Sequence, residues 1–120
     1  MNTIEFINTK LNQISKLESL EKFDFLISTV HIIESKSIED SGLIKIIITN
    51  LGNLRYEMAY SKVLESISGR LDKVLAYAIL NLSRKVFDGG DLKKAINDVL
   101  YYEINDGYRK EIIEELAMLD

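Results

Sequence analysis

The chain has no cysteine, no proline and no tryptophan among its 120 residues, and only one histidine. Without cysteine there is no disulfide and no thiolate for a metal or a nucleophilic reaction, so a reducing compartment, the cytoplasm, is the expected setting. An average composition near ~5% proline would have supplied about six. Their absence means that nothing interrupts a helix from within. One histidine and no cysteine leave almost no means of pairing a nucleophile with a base, so triad chemistry is not expected. The N-terminal residues Met1-Asn2-Thr3-Ile4-Glu5-Phe6 place no basic segment before an apolar one. No window approaches the ~18 to 20 apolar residues that span a bilayer, so neither secretion nor membrane insertion is expected.

What is present is ordinary for a globular domain: 47% apolar and 28% charged residues. A chain of this length buries roughly two-thirds of its unfolded surface in one core. Self-similarity, low-complexity tracts and linkers are not found, and a single domain over 1–120 is expected. The formal charge is −4, from 15 basic and 19 acidic side chains. That balance opposes binding to nucleic acid phosphates and suits a cationic partner. It is also uneven: residues 1–97 carry 12 acids and 13 bases, while residues 98–120 carry seven acids and two bases.

Apolar residues recur with helical spacing almost throughout. Ile4, Ile7, Leu11 and Ile14 share one face of a first helix that Asn2 or Thr3 can cap. Ser19 can cap a second helix reaching about Ser35, with Leu20, Phe23, Ile27 and Val30 on one face, His31 at its edge, and Leu26 and Ile33 widening it. Ser37-Ile38-Glu39-Asp40 resembles a capping arrangement with Ser37 as the cap. The β-branched stretch Leu43-Ile44-Lys45-Ile46-Ile47-Ile48-Thr49 suits a strand by composition. No partner strand exists, and Leu43, Ile47, Leu51 and Leu54 keep helical spacing, so a buried helix is predicted, with Gly52-Asn53 kinking or ending it.

Tyr56, Tyr60, Val63 and Ile67 form the stripe of a further helix over 54–68. Residues 70–87 are apolar around most of the circumference, which predicts a central helix. Asp88-Gly89-Gly90-Asp91 is the clearest break, with Asp91 as the next cap. Leu92, Ala95, Ile96, Val99 and Leu100 then face inward. After the turn Asn105-Asp106-Gly107, a last helix buries Tyr108, Ile112, Leu116 and Leu119. The predicted fold is all-α: a single-domain irregular bundle of six to seven short helices.

The places where chemistry would sit are bland. His31-Ile32-Ile33-Glu34 reverses the Glu-x-x-His spacing of di-iron bundles and has no second copy. Gly89-Gly90-Asp91 lacks the lysine and the longer glycine pattern of a phosphate loop, and Asp91 would repel a phosphate. Glu111, Glu114 and Glu115 fall on the solvent side of the last helix, where nothing raises a carboxyl pKa or holds a substrate. No catalytic residue, cofactor or metal site is expected. The oddity is Tyr101-Tyr102 among Asp98, Glu103 and Asp106. Tyr101 is predicted to project outward beside Lys94, Asn97 and Asp98, with Tyr102 on the flank, an arrangement that suits an interface anchor.

The run from Phe87-Asp88-Gly89-Gly90-Asp91-Leu92 through Ala95-Ile96 to Ile112-Ile113-Glu114-Glu115-Leu116-Ala117 is similar to the C-terminal half of some small immunity proteins paired with toxin nucleases. In type, too, the chain resembles the acidic, cysteine-free, all-helical immunity proteins of bacterial polymorphic and contact-dependent growth-inhibition toxin systems. The resemblance implies a cytoplasmic protein that binds one cognate toxin domain, often a cationic nuclease, and blocks its active site or substrate surface. The docking residues expected for that role are Asp98, Tyr101, Tyr102, Glu103, Asp106, Glu111, Glu114 and Glu115. Two rivals predict different behaviour. A phage- or plasmid-type regulator or adaptor would bind nucleic acid or a transcription component, and a homo-oligomeric structural protein would assemble through surplus apolar faces.

Overall fold

The computed structural model describes residues 2–57 and 73–100, and the side chains of 2–57 and 77–98 among them. These residues form α1 (Thr3–Leu11), a 3-10 turn at Ile14–Lys16, α2 (Ser19–Ser35), α3 (Ser41–Glu57), α4 (Lys73–Val86) and α5 (Gly89–Leu100). No strand occurs among the described residues. The all-α class is therefore as the periodicity predicts. The expected helix over 108–119 and most of the one over 54–68 lie outside the described residues, as do the side chains of Leu71, Val74 and Leu75.

Each helix start and stop has a local cause. Asn2 caps α1, its Oδ1 accepting the Glu5 N–H at 2.8 Å, which satisfies one of the orphan donors of a first turn. Ser37 does not cap anything. It takes φ +50° just past α2, while the Ser37 N–H bonds the Glu34 carbonyl and the Ile38 N–H bonds the Ile33 carbonyl. That pair of reversed bonds is the Schellman stop, here built on serine rather than glycine. The cap of α3 is Asp40 instead, whose Oδ1 accepts the Leu43 N–H at 3.0 Å.

Two more caps fall elsewhere than the sequence suggests. Ser19 is the first residue of α2 and its cap position is Glu18, which makes no side-chain cap bond. The Leu92 N–H bonds the Asp88 carbonyl, so α5 begins one turn earlier than expected. Asp91 sits in its first turn, where a negative charge suits the helix dipole, and Gly89 supplies φ +51° at the break.

The β-branched stretch is helical, as predicted. Along α3, Leu43, Ile44, Ile47, Ile48, Leu51 and Leu54 are all buried. Burying each such side chain contributes about 1.5–3 kcal/mol, which outweighs a β-branched propensity cost of at most about 0.7 kcal/mol per residue. Gly52-Asn53 neither ends nor shortens the helix, which runs on to Glu57. In consequence Tyr56 belongs to the last turn of α3, where it is 55% exposed rather than turned inward.

Helix α3 packs on α2, α4 and α5, and α4 on α2, α3 and α5. The centre is thus shared between α3 and α4. Phe23, Leu26, Val30 and Ile33 of α2 meet Ile79, Leu80 and Leu82 of α4 and Leu92 and Ile96 of α5 in one core, with Ile7 of α1 closing it. Two buried hydroxyls fold back on their own helices: Thr29 donates to the Phe25 carbonyl and Ser83 to the Ile79 carbonyl, both at 2.8 Å.

Candidate functional site

The most concentrated polar chemistry among the described residues sits where α5 crosses α3. Asp98 is on α5 but only 4% exposed. Arg55 Nε donates to Asp98 Oδ1 at 2.6 Å and Lys94 Nζ to Asp98 Oδ2 at 2.8 Å. The carboxylate can be buried because a glycine faces it: a β-carbon on Gly52 would lie 2.8 Å from Oδ2. A buried charge is tolerated only when paired and hydrogen-bonded, and here each oxygen has its own cation.

The two cations in turn frame a tyrosine. The Arg55 guanidinium lies 4.1 Å from the Tyr56 ring centroid and donates from Nη2 to the phenol oxygen at 2.6 Å. Lys94 Nζ lies 5.7 Å from the same centroid. Burial works against the charge on Arg55, but the hydrogen bonds and attraction of Asp98 and Tyr56 together outweigh it and raise its pKa. The Lys94 pKa is raised as well, chiefly by its hydrogen bond to Asp98. Asp98 thus fixes an Arg–Tyr–Lys platform whose outer part, Tyr56 and Lys94, stands in solvent.

A second ionic contact closes the other flank of α3. Glu57 Oε1 accepts from Lys22 Nζ at 2.7 Å and Oε2 from Ser19 Oγ at 3.0 Å. The Glu57 pKa is lowered, first by the Lys22 hydrogen bond. Held by two side chains of the first turn of α2, Glu57 places a negative charge beside that helix N-terminus. Between these contacts lie two shallow grooves, one floored by Ile14, Leu26 and Leu54, the other by Ile48, Phe87 and Ala95. Asn53 lines both.

Of the expected docking residues, only Asp98 lies among the described residues, and its role is corrected. It is an internal strut rather than an outward acid, because the Gly52 notch and two cations draw it inward. Tyr101, Tyr102, Glu103, Asp106, Glu111, Glu114 and Glu115 lie outside the described residues. His31 and Glu34 are both exposed, so His31 does not lie at the edge of the core. Among the described residues no group of three or more His, Asp or Glu could hold a metal ion. No described helix is long and apolar enough to cross a membrane.

Arg55, Tyr56 and Gly52 were not among the expected functional residues. The signal for Gly52 was a glycine inside an otherwise apolar helical pattern, which marks close approach of another group. Lys94 and Asp98 are four apart on one helix, which predicts their pairing. Nothing local points from Asp98 to Arg55, 43 residues away.

The chain matches no protein-family model, and neither the curated proteins nor the solved structures contain a significant match.

Proposed function

We propose that this protein is an inhibitor of the immunity type, which binds a cognate bacterial toxin domain in the cytoplasm and performs no reaction of its own. The observation that carries this reading is the distribution of charge. With Asp98 engaged internally, residues 1–98 hold 13 acids and 13 bases, so the whole net charge of −4 resides in residues 99–120, with six acids against two bases. Acids gathered at one end of an otherwise neutral chain suit a single cationic face on a partner. A nuclease keeps such a face for phosphates. Carboxylates presented to it would accelerate encounter by steering and add desolvated ion pairs on docking.

Under this proposal Tyr101, Tyr102, Glu103, Asp106, Glu111, Glu114 and Glu115 meet the toxin domain, and Asp98 serves to fix α5 on α3. Neither a cofactor nor direct contact with nucleic acid is required. The test is co-expression with the toxin domain encoded beside this gene. The wild-type chain should rescue growth and form a 1:1 complex that weakens with salt. Reversal of Glu111, Glu114 and Glu115 to lysine should abolish rescue while the thermal melt stays unchanged. Full rescue by the reversed chain would eliminate this surface, and turnover of a substrate by the purified protein would eliminate the proposal.

A further inference from the structure

The outward face of α3 differs from the other helical surfaces. On α2 the exposed positions include Glu21, Asp24, His31 and Glu34. On α3 the charged Lys45 and Glu57 are exposed at the flanks, and between them the exposed residues Ile46, Thr49, Asn53 and Tyr56 follow 3-4-3 spacing with no charge. Ile46 is 47% exposed and Tyr56 55%. This is the a/d spacing of a helix seam that meets another helix, extended over two heptads and met by no other described helix. Charge depletion together with an aromatic residue is also the compositional mark of an interface.

We propose that α3 is a self-association surface, and that two copies of the chain pair their α3 helices side by side, in the same direction, about a two-fold axis. Ile46 then packs on Ile46 of the second copy, Thr49 on Thr49, Asn53 on Asn53 and Tyr56 on Tyr56. A single asparagine at a core position favours this geometry, because the two amides satisfy each other only when the helices are parallel and in register.

Charge selects the same arrangement. The two flanks of the seam carry opposite signs near one end: Glu57 on the side of α2, with its side chain 44% exposed, and Lys94 on the side of α5, 62% exposed. Lys94 reaches α3 at the level of Gly52, because Asp98 packs onto that glycine and holds the ammonium. A residue at 52 and one at 57 occupy the flanking positions that face each other across a parallel pair. Glu57 of each copy therefore meets Lys94 of the other, and the exposed Lys45 meets Asn50 by the same spacing. Lysine has three donors and a carboxylate about four acceptor sites, so both groups keep their internal bonds. Antiparallel pairing about residue 51 would instead bring the Lys94 ammoniums of the two copies, each at the level of Gly52, together and set like charges against each other.

Sedimentation equilibrium of the 120-residue chain tests this directly. The wild type should show a concentration-dependent dimer. Asn53→Asp, which sets two carboxylates across the axis, should weaken it by about tenfold or more, and Asn53→Leu, which removes a polar layer, should tighten it by a similar factor. Asn53 is exposed, so in samples dilute enough to be monomeric neither change should lower the thermal melt. The chain has no cysteine of its own, so Ile46→Cys reports orientation: it cross-links to itself in the parallel pair. In an antiparallel pair centred on residue 51 the two positions would stand about 15 Å apart along the axis. A monomer at every concentration, a dimer indifferent to both Asn53 substitutions, or an Ile46→Cys chain that dimerises without cross-linking would each overturn the proposal.

Discussion

Asp98 occupies the space that a side chain on Gly52 would need: a β-carbon there would stand 2.8 Å from Oδ2 and 3.3 Å from the Asp98 Cβ. The glycine and the buried carboxylate therefore form one unit, and neither can change alone.

Gly52→Ala tests this opposition. In an open helix interior the change would stabilise by about 1 kcal/mol through propensity. Here the carboxylate cannot swing away, being held on both oxygens, and overpacking costs about 1–3 kcal/mol. We expect a net loss of stability in urea denaturation with an unchanged slope. A gain would mean that Asp98 is free to move.

The ionic cluster should respond unequally to truncation. Asp98→Ala leaves Arg55 without its buried counter-charge and is expected to cost about 1–3 kcal/mol. Lys94→Ala removes a largely exposed partner and should cost under about 1 kcal/mol. Equal losses in thermal melts would contradict the division between strut and rim.

How far the sequence foretold this is clearest on α3. Its helical state was legible because six buried Leu and Ile residues follow helical spacing, and that pattern outweighs β-branched composition. The caps were less legible. Ser37 and Asp40 both suit a helix start, and the choice depends on how α2 stops, which lies in backbone geometry rather than residue type. Asp98 was misplaced for a related reason: a charged side chain is ordinarily outward, and only a glycine 46 positions earlier makes room for it.

Ser37 and Asp40 therefore give opposite expectations. Asp40→Ala should destabilise by about 1 kcal/mol through loss of the cap. Ser37→Gly should stabilise, since the left-handed conformation costs a non-glycine residue about 1–2 kcal/mol. Were Ser37 the cap, its replacement by glycine would bring no gain. Differential scanning calorimetry of the two variants separates the assignments.

The Lys22–Glu57 pair adds a pH dependence. Its carboxyl pKa is lowered in the folded chain, so the folded state holds this proton less tightly than the unfolded state. The contribution is fully present above the ordinary glutamate pKa of 4.5, and fades as pH falls below it through the folded value. Glu57→Gln should lower stability at neutral pH and draw level with the wild type in acid. A gap that persists in acid would assign the effect to packing.

The hydroxyls of Thr29 and Ser83 are spent on carbonyls of their own helices, so neither is needed to bridge to a neighbouring helix. The contacts between helices in the core are therefore apolar at these two positions. Two ionic contacts of defined geometry join the helices as well: the buried Asp98 couples α5 to α3 and the more exposed Glu57 couples α3 to α2. Loosening either contact would therefore loosen the registration of one helix on its neighbour while the shared core stays buried.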